Sequence, residues 1–220
     1  MIPLLHDFSG ATVLVVGGGS VGARKARRFA READVIVLGP DFGDREFGDS
    51  ELVRAAPDPA EIREWVERTE PALVVAATDD EAVNEAAADA ARERGALVNR
   101  ADRSGSRDAG SVVVPATVRD DPVVAAVATG GTSPALSRQL RRNIESELAG
   151  AGAMAELTGE LRSELKAHVD DPAERRGAIR AVVQSSRVWK ALRTGDTNAR
   201  QVARDVINEE LGERAGGSPC

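Results

Sequence analysis

Cysteine is almost missing from this chain of 220 residues: the one present, Cys220, is the last residue. An internal disulfide is excluded, and a reducing, cytoplasmic setting is expected. Histidine is nearly as scarce. His6 and His168 lie far apart in sequence and offer no preformed zinc site, so no metal ligands are assigned. His6 reads as a surface or packing residue, and His168 as a solvent-facing residue at a helix end. No apolar run approaches the roughly 20 residues of a membrane span. The N-terminus also lacks the basic start and long apolar core of a signal peptide. Positive charge is in deficit. The net charge of −7 argues against nucleic-acid binding by bulk electrostatics.

What is present is a globular composition, 42% hydrophobic and 30% charged, long enough for one domain and a smaller companion. Its centre is Thr12 to Gly22. Thr12–Val16 is β-branched or Leu without a charge, the pattern of a strand buried on both faces. Gly17, Gly19 and Gly22 then follow in the spacing G-x-G-x-x-G. After Gly22 the pattern turns helical, with Ala23, Ala26, Phe29 and Ala30 on one side. Arg24, Lys25, Arg27, Arg28 and Arg31 occupy the other, to an end near Glu32-Ala33. Gly17 allows a sharp turn out of the strand, Gly19 lets a pyrophosphate approach the backbone, and Gly22 lets helix and strand pack closely. The helix N-terminus offers N–H groups and partial positive charge to phosphates. A strand before the motif and a helix after it are the context that separates a dinucleotide site from an ordinary Gly-rich turn.

Further strands are expected at Asp34–Leu38, Leu52–Ala55, Ala72–Ala77 and Ala96–Asn99, with helices over Asp58–Arg68 and from Glu81 to about Arg94. Trp65 falls on the inner stripe of Ile62, Trp65 and Val66 and reads as core. Asp41 lies 19 positions after Gly22, near the distance at which a carboxylate binds the adenosine ribose of NAD. Gly39 and Pro40 intervene, so a plain turn cap is an equal alternative. The acid favours NAD over NADP, since no arginine sits immediately there for a 2′-phosphate and Arg45 is the nearest. Thr78 and Asp79 leave a strand at its carboxyl end, where ligands lie in open parallel sheets. They also suit the N-cap of the next helix. Asp102 leaves the following strand on the same side, amid Arg100, Arg103 and Arg107. That group is either a ligand site or a surface ion-pair cluster.

Ser111–Val114 and Val123–Thr129 read as an antiparallel pair, because the link through Arg119–Pro122 is too short for a parallel crossover. A domain boundary is therefore expected near residue 112. Gly130-Gly131-Thr132-Ser133 precedes a helix that Ser133 caps and Pro134 opens, an anion pocket or a capped loop. Leu136, Leu140, Ile144 and Leu148 form that helix's stripe, and Gly150 can end it. Helices follow with Leu157, Leu161 and Leu165 on one face. The next starts at Asp171-Pro172 with Ile179, Val182, Val183 and Leu192, and the last at Thr197 or Asn198 with Val202, Val206 and Leu211.

Five segments occur together in order: Gly17–Lys25, Ala76–Asn84, Asn99–Asp102, Val114-Pro115 and Thr129–Pro134. As a set they resemble the siroheme synthase N-terminal family, the precorrin-2 dehydrogenase and sirohydrochlorin ferrochelatase proteins. The likeness spans residues 1 to about 150. It implies an α/β fold: a Rossmann-type parallel sheet (1–112), a small α+β dimerisation domain (113–150) and a helical C-terminal domain (151–220). It implies a homodimer that oxidises the tetrapyrrole precorrin-2 to sirohydrochlorin with NAD, with ferrous ion a further substrate in chelating members. By the same resemblance, Ser20-Val21 and Pro40-Asp41 contact NAD. Asp102 is the catalytic aspartate, a proposed general base. Thr129 stands where some members have a serine beside the tetrapyrrole. The family's Asn-Val-Val-Asp appears here as Asn-Arg-Ala-Asp, which changes the surroundings of Asp102.

The residues are compatible with that chemistry. The cofactor set is Gly17, Gly19, Ser20, Val21, Gly22, Pro40, Asp41, Thr78 and Asp79. The substrate set is Arg100, Thr129, Gly130, Gly131, Thr132, Ser133 and Arg138, with Arg103, Arg107, Arg141 and Arg142 as further cations for a polycarboxylate. Two other readings stand beside it. One is a nucleotide-sensing module, such as a potassium-channel regulatory domain, which would need neither Asp102 nor Gly-Gly-Thr-Ser-Pro. The other is a chelatase whose Rossmann domain is vestigial.

Overall fold

Five apolar runs become five parallel strands: β1 (Thr12–Val16), β2 (Asp34–Gly39), β3 (Glu51–Arg54), β4 (Leu73–Ala76) and β5 (Leu97–Arg100). Their order is β3-β2-β1-β4-β5. Val15 pairs with Val37 on one side and Val75 on the other, and Val75 pairs with Asn99. The computed structural model describes residues 2–101, 110–195 and 198–216. The chain divides into two compact units, Met1–Val114 and Pro115–Cys220.

Alternation along the strands sends side chains to two apolar layers. One layer holds Leu14, Val16, Leu38, Val74, Ala76 and Val98. It is covered by Ile62 and Val66 of α2 (Pro59–Thr69) and by the alanines of α3 (Glu81–Glu93). Trp65 is partly buried against this layer, as its stripe predicts, with Arg68 stacked 3.8 Å over its ring. The other layer holds Val13, Val15, Val35, Val37, Leu73 and Val75 under α1 (Ser20–Phe29). Leu97, Ala101, Val112 and Val114 pack at its margin. Asp58 caps α2 through a reciprocal box with Glu61. The first helix stops at Phe29, short of Glu32-Ala33.

In the second unit, β6 (Ala116–Asp120) and β7 (Val123–Val127) form an antiparallel pair joined by the cis Asp121-Pro122 bond. This corrects the expected partner of Val123–Thr129. Ser111–Val114 instead runs beside β5, with one parallel bridge from Ser111 to Val98 and Val112 N donating to the Val98 carbonyl at 2.7 Å. Both segments have strand-like residues. The unit division falls after Val114.

Helices follow: α4 (Pro134–Glu147), α5 (Ala151–His168), α6 (Pro172–Gln184), α7 (Ser186–Arg193) and α8 (Ala199–Gly216). Met154, Leu157, Leu161, Leu165, Ile179 and Val182 build the core of this unit, with Val188, Val206 and Ile207. One expected helix is two: Ser185 breaks it and caps α7, so Leu192 belongs to α7 and Val183 is exposed. Among the described residues the α4 stripe is covered only in part: Leu136 and Leu140 are exposed, Ile144 and Leu148 half-buried. The hairpin is pinned to α5 where Gly152 N donates to Asp120 Oδ2 at 3.0 Å. A Cβ at Gly152 would strike the Asp121 carbonyl oxygen.

Candidate active site

The sheet order reverses between β1 and β4, and crevices in open α/β sheets form outside the carboxyl ends of such strands. A cleft of about 390 Å³ lies there. Val21 enters it from the first turn of α1, Ala77, Thr78 and Asp79 from the end of β4, Glu81 and Asn84 from α3, and Ala101 from the end of β5.

The Gly-rich turn is built as its spacing requires. Gly17 takes φ +129°, a conformation that L side chains rarely adopt. A Cβ at Gly22 would run into the Gly17 carbonyl oxygen, and one at Gly18 into that of Asp41. Gly19 differs: a Cβ there meets nothing within 4 Å. The N-cap of α1 is Gly19 itself, with no side-chain cap and no acidic residue in the first turn. Side-chain caps close α2, α3, α4, α6 and α7, whereas α5, behind Gly150, has none either. An open backbone before an uncapped helix end is the donor set that a pyrophosphate requires, so these residues fit a dinucleotide.

Pro40 and Asp41 are exposed on the neighbouring loop, stacked against the turn through Gly18 and Gly39. Arg45 bends over the same loop, its Nη1 donating to the Phe42 carbonyl at 3.0 Å. Thr78 is half-buried and Asp79 exposed. Neither caps α3. That role falls to Asp80, whose carboxylate accepts from Ala82 N and Val83 N. The buried Asn84, not singled out from sequence, locks Thr78 in place. Its Oδ1 accepts from Thr78 N at 3.1 Å and from Thr78 Oγ1 at 2.9 Å, while its Nδ2 donates to the Thr78 carbonyl at 2.8 Å. Lys25 stands on α1 one turn beyond Val21. Burial, reinforced by Arg28 and then Arg24, pushes its amine down to about 8.

Arg100 sits otherwise than a substrate-binding cation would. Its side chain is 4% exposed and its Nη1 is 2.6 Å from Glu85 Oε2, so a substrate carboxylate cannot reach it without displacing that contact. Asp102, Arg103 and Arg107 lie outside the described residues. In the second unit, Thr129 and Ser133 knot the loop before α4. Thr129 Oγ1 donates to the Ser133 carbonyl at 3.1 Å and lies 2.8 Å from Ser137 Oγ. Gly130 and Gly131 take φ +66° and +87°. Ser133 caps α4 by accepting from Leu136 N, and Gly130, Gly131, Thr132 and Arg138 are exposed.

Residues 4–116 match the family model described as "Putative NAD(P)-binding", and residues 150–207 the one described as "Sirohaem synthase dimerisation region". A precorrin-2 dehydrogenase of Methanosarcina barkeri is 34% identical over 96% of this chain and 95% of its own length. The chain belongs to the precorrin-2 dehydrogenase family. Siroheme synthases are also similar: that of Pseudomonas fluorescens SBW25 is 32% identical over 99% of this chain, and that of Pseudomonas paraeruginosa 35% over 98%. This family member spans only 45% and 46% of their lengths. A solved structure of SirC, precorrin-2 dehydrogenase, has the same fold, with a TM-score of 0.67 at 20% identity over 95% of this chain and 100% of that one. No helix among the described residues is long and apolar enough to cross a membrane.

Proposed function

We propose that the chain oxidises precorrin-2 to sirohydrochlorin with NAD as acceptor. The observation that carries this reading is the uncapped, open N-terminus of α1 at the switch-point cleft, in a chain matching a precorrin-2 dehydrogenase over nearly its whole length. When bound, the nicotinamide supplies the two-electron sink. The chain's own work is to hold and orient. Gly17, Gly19, Ser20, Val21 and Gly22 present backbone N–H groups to the pyrophosphate. Thr78, held by Asn84, and Asp79 form the opposite wall of the cleft. The carboxylate of Asp41, beside Pro40 on the exposed loop, favours a ribose hydroxyl over a 2′-phosphate, hence NAD over NADP.

The substrate loses a hydride and a proton. Asp102 is the proposed base for that proton, on the strength of the family resemblance. Thr129, Gly130, Gly131, Thr132, Ser133 and Arg138 are the proposed receivers of substrate carboxylates, as hydroxyl, backbone and guanidinium donors. The reading includes a homodimer in the cytoplasm; the dimerisation-region match and the exposed Leu136 and Leu140 of α4 support the dimer.

The test is to mix purified chain with precorrin-2 and NAD or NADP, with and without ferrous ion, and follow tetrapyrrole absorbance. A sirohydrochlorin spectrum that requires NAD but no iron is expected. Absence of any cofactor-dependent change overturns the reading.

A further inference from the structure

The cleft at the strand ends has walls of one sign. The described residues that line it include two acids, Asp79 and Glu81, and neither arginine nor lysine. Like charges repel, so such walls suit neither a phosphate nor the carboxylates of a tetrapyrrole. The phosphates have their own place at the turn before α1, whose first turn holds no acid. The cleft calls for a ligand group without negative charge.

The order of the strands says which group that is. Pro40 and Asp41, proposed for the adenosine ribose, follow β2 on one side of β1. The cleft draws on the ends of β4 and β5 and on α3, on the other side. With the pyrophosphate at the end of β1 between them, the half of the dinucleotide that enters the cleft is the nicotinamide half. Its ring is positively charged when oxidised and neutral when reduced. Asp79 is exposed on the cleft wall, and among the described residues its carboxylate has no hydrogen-bond or ion-pair partner. The cap of α3 does not need it, because Asp80 accepts from Ala82 N and Val83 N. Its place is nevertheless fixed, since Asn84 grips the preceding Thr78 at its N, Oγ1 and carbonyl oxygen.

We infer that Asp79 is a specificity-determining residue for the redox state of the cofactor: its carboxylate, reinforced by that of Glu81, attracts the positively charged oxidised nicotinamide and has no such hold on the neutral reduced one. The inference rests on the cofactor reading above. A hydride taken from the substrate carries its electron pair to the ring and cancels the ring's charge. Asp79 then loses its attraction, so the spent cofactor is the more weakly held form. The effect depends on the ring and not on the 2′ position, and it applies to NAD and NADP alike.

Equilibrium binding to the full chain tests this without turnover. The probes are NAD, NADH and ADP-ribose, which lacks the nicotinamide. Asp79→Asn keeps the shape of the side chain and removes its charge. It should lower the NAD-to-NADH affinity ratio by about two- to fivefold, the scale of one part-exposed charge pair, while NADH and ADP-ribose keep their ratio to each other. Glu81→Gln should act in the same direction. In the unaltered chain, added salt should lower the NAD-to-NADH ratio as the attraction is screened. An unchanged ratio in Asp79→Asn overturns the inference. A carboxylate that served only the positive end of α3 predicts that result, with a lower melting temperature. Should the variant fail to fold, a ratio in the unaltered chain that does not respond to salt overturns the inference instead. Failure of the unaltered chain to bind any of the three probes sinks the cofactor reading and this inference together, whereas binding with an unchanged ratio sinks this inference alone.

Discussion

Gly19 and Gly22 share a motif yet should answer substitution differently. A side chain at Gly19 points into open space, so Gly19→Asp should fold normally. It should nevertheless abolish dinucleotide binding, because it places bulk and negative charge where phosphates dock. Unchanged affinity by calorimetry would reject the phosphate cradle. A methyl at Gly22 collides with the Gly17 carbonyl. Gly22→Ala should therefore lose about 1–3 kcal/mol of stability, the usual scale of overpacking, seen as a lower urea midpoint. Lys25 makes a pH-dependent prediction. Its native amine titrates near 8, below the ordinary 10.5, so between those values the unfolded chain binds more protons. Stability should rise with pH across that window. Below about pH 8 the ammonium is charged in both states and the burial penalty is fully present. Lys25→Met should stabilise the chain most near neutral pH, with the gain fading above about pH 10.5. A gain that does not vary with pH would contradict this.

At the scale of the element, what could be read from sequence was what is local. Thr12–Val16, the glycines and the periodicity of α1 are contiguous, and strand, turn and helix form where the pattern changes period. Caps are local too, but only to within a residue. Thr78, Asp79 and Asp80 all have oxygen-bearing side chains, and the geometry selects Asp80. Asp80→Ala should cost about 1 kcal/mol by denaturant titration, the value of a lost N-cap. Pairings between distant segments were not legible. Ser111–Val114 and Ala116–Asp120 look alike as strings, and only the packing against β5 or β7 tells them apart. The Arg100–Glu85 contact likewise joins β5 to α3, where sequence showed only an arginine near a proposed site. Arg100→Ala should consequently lower the melting temperature clearly while changing KM for the tetrapyrrole little. The reverse pattern would restore a substrate role to Arg100.

At the scale of the molecule, the chain carries a nucleotide-type unit and a largely helical one, each with its own core. The helical unit keeps a row of leucines in solvent on α4, with Leu136 at 50% and Leu140 at 37% exposure. In the proposed homodimer this row is covered. Paired Leu136→Arg and Leu140→Arg substitutions should shift the species seen by analytical ultracentrifugation from dimer to monomer, leaving the helical content by circular dichroism unchanged. A monomer before mutation, or a dimer after it, would count against that arrangement. The joint between Gly152 and Asp120 sets a different limit. Only bare backbone fits beneath the hairpin, and the flanking positions, Ala151 and Ala153, each carry a methyl group. The hairpin consequently seats on α5 at this glycine and at neither neighbour. Lengthening the stretch between them would leave that seat where it is, and anyone transplanting the hairpin to another scaffold would have to bring the glycine with it.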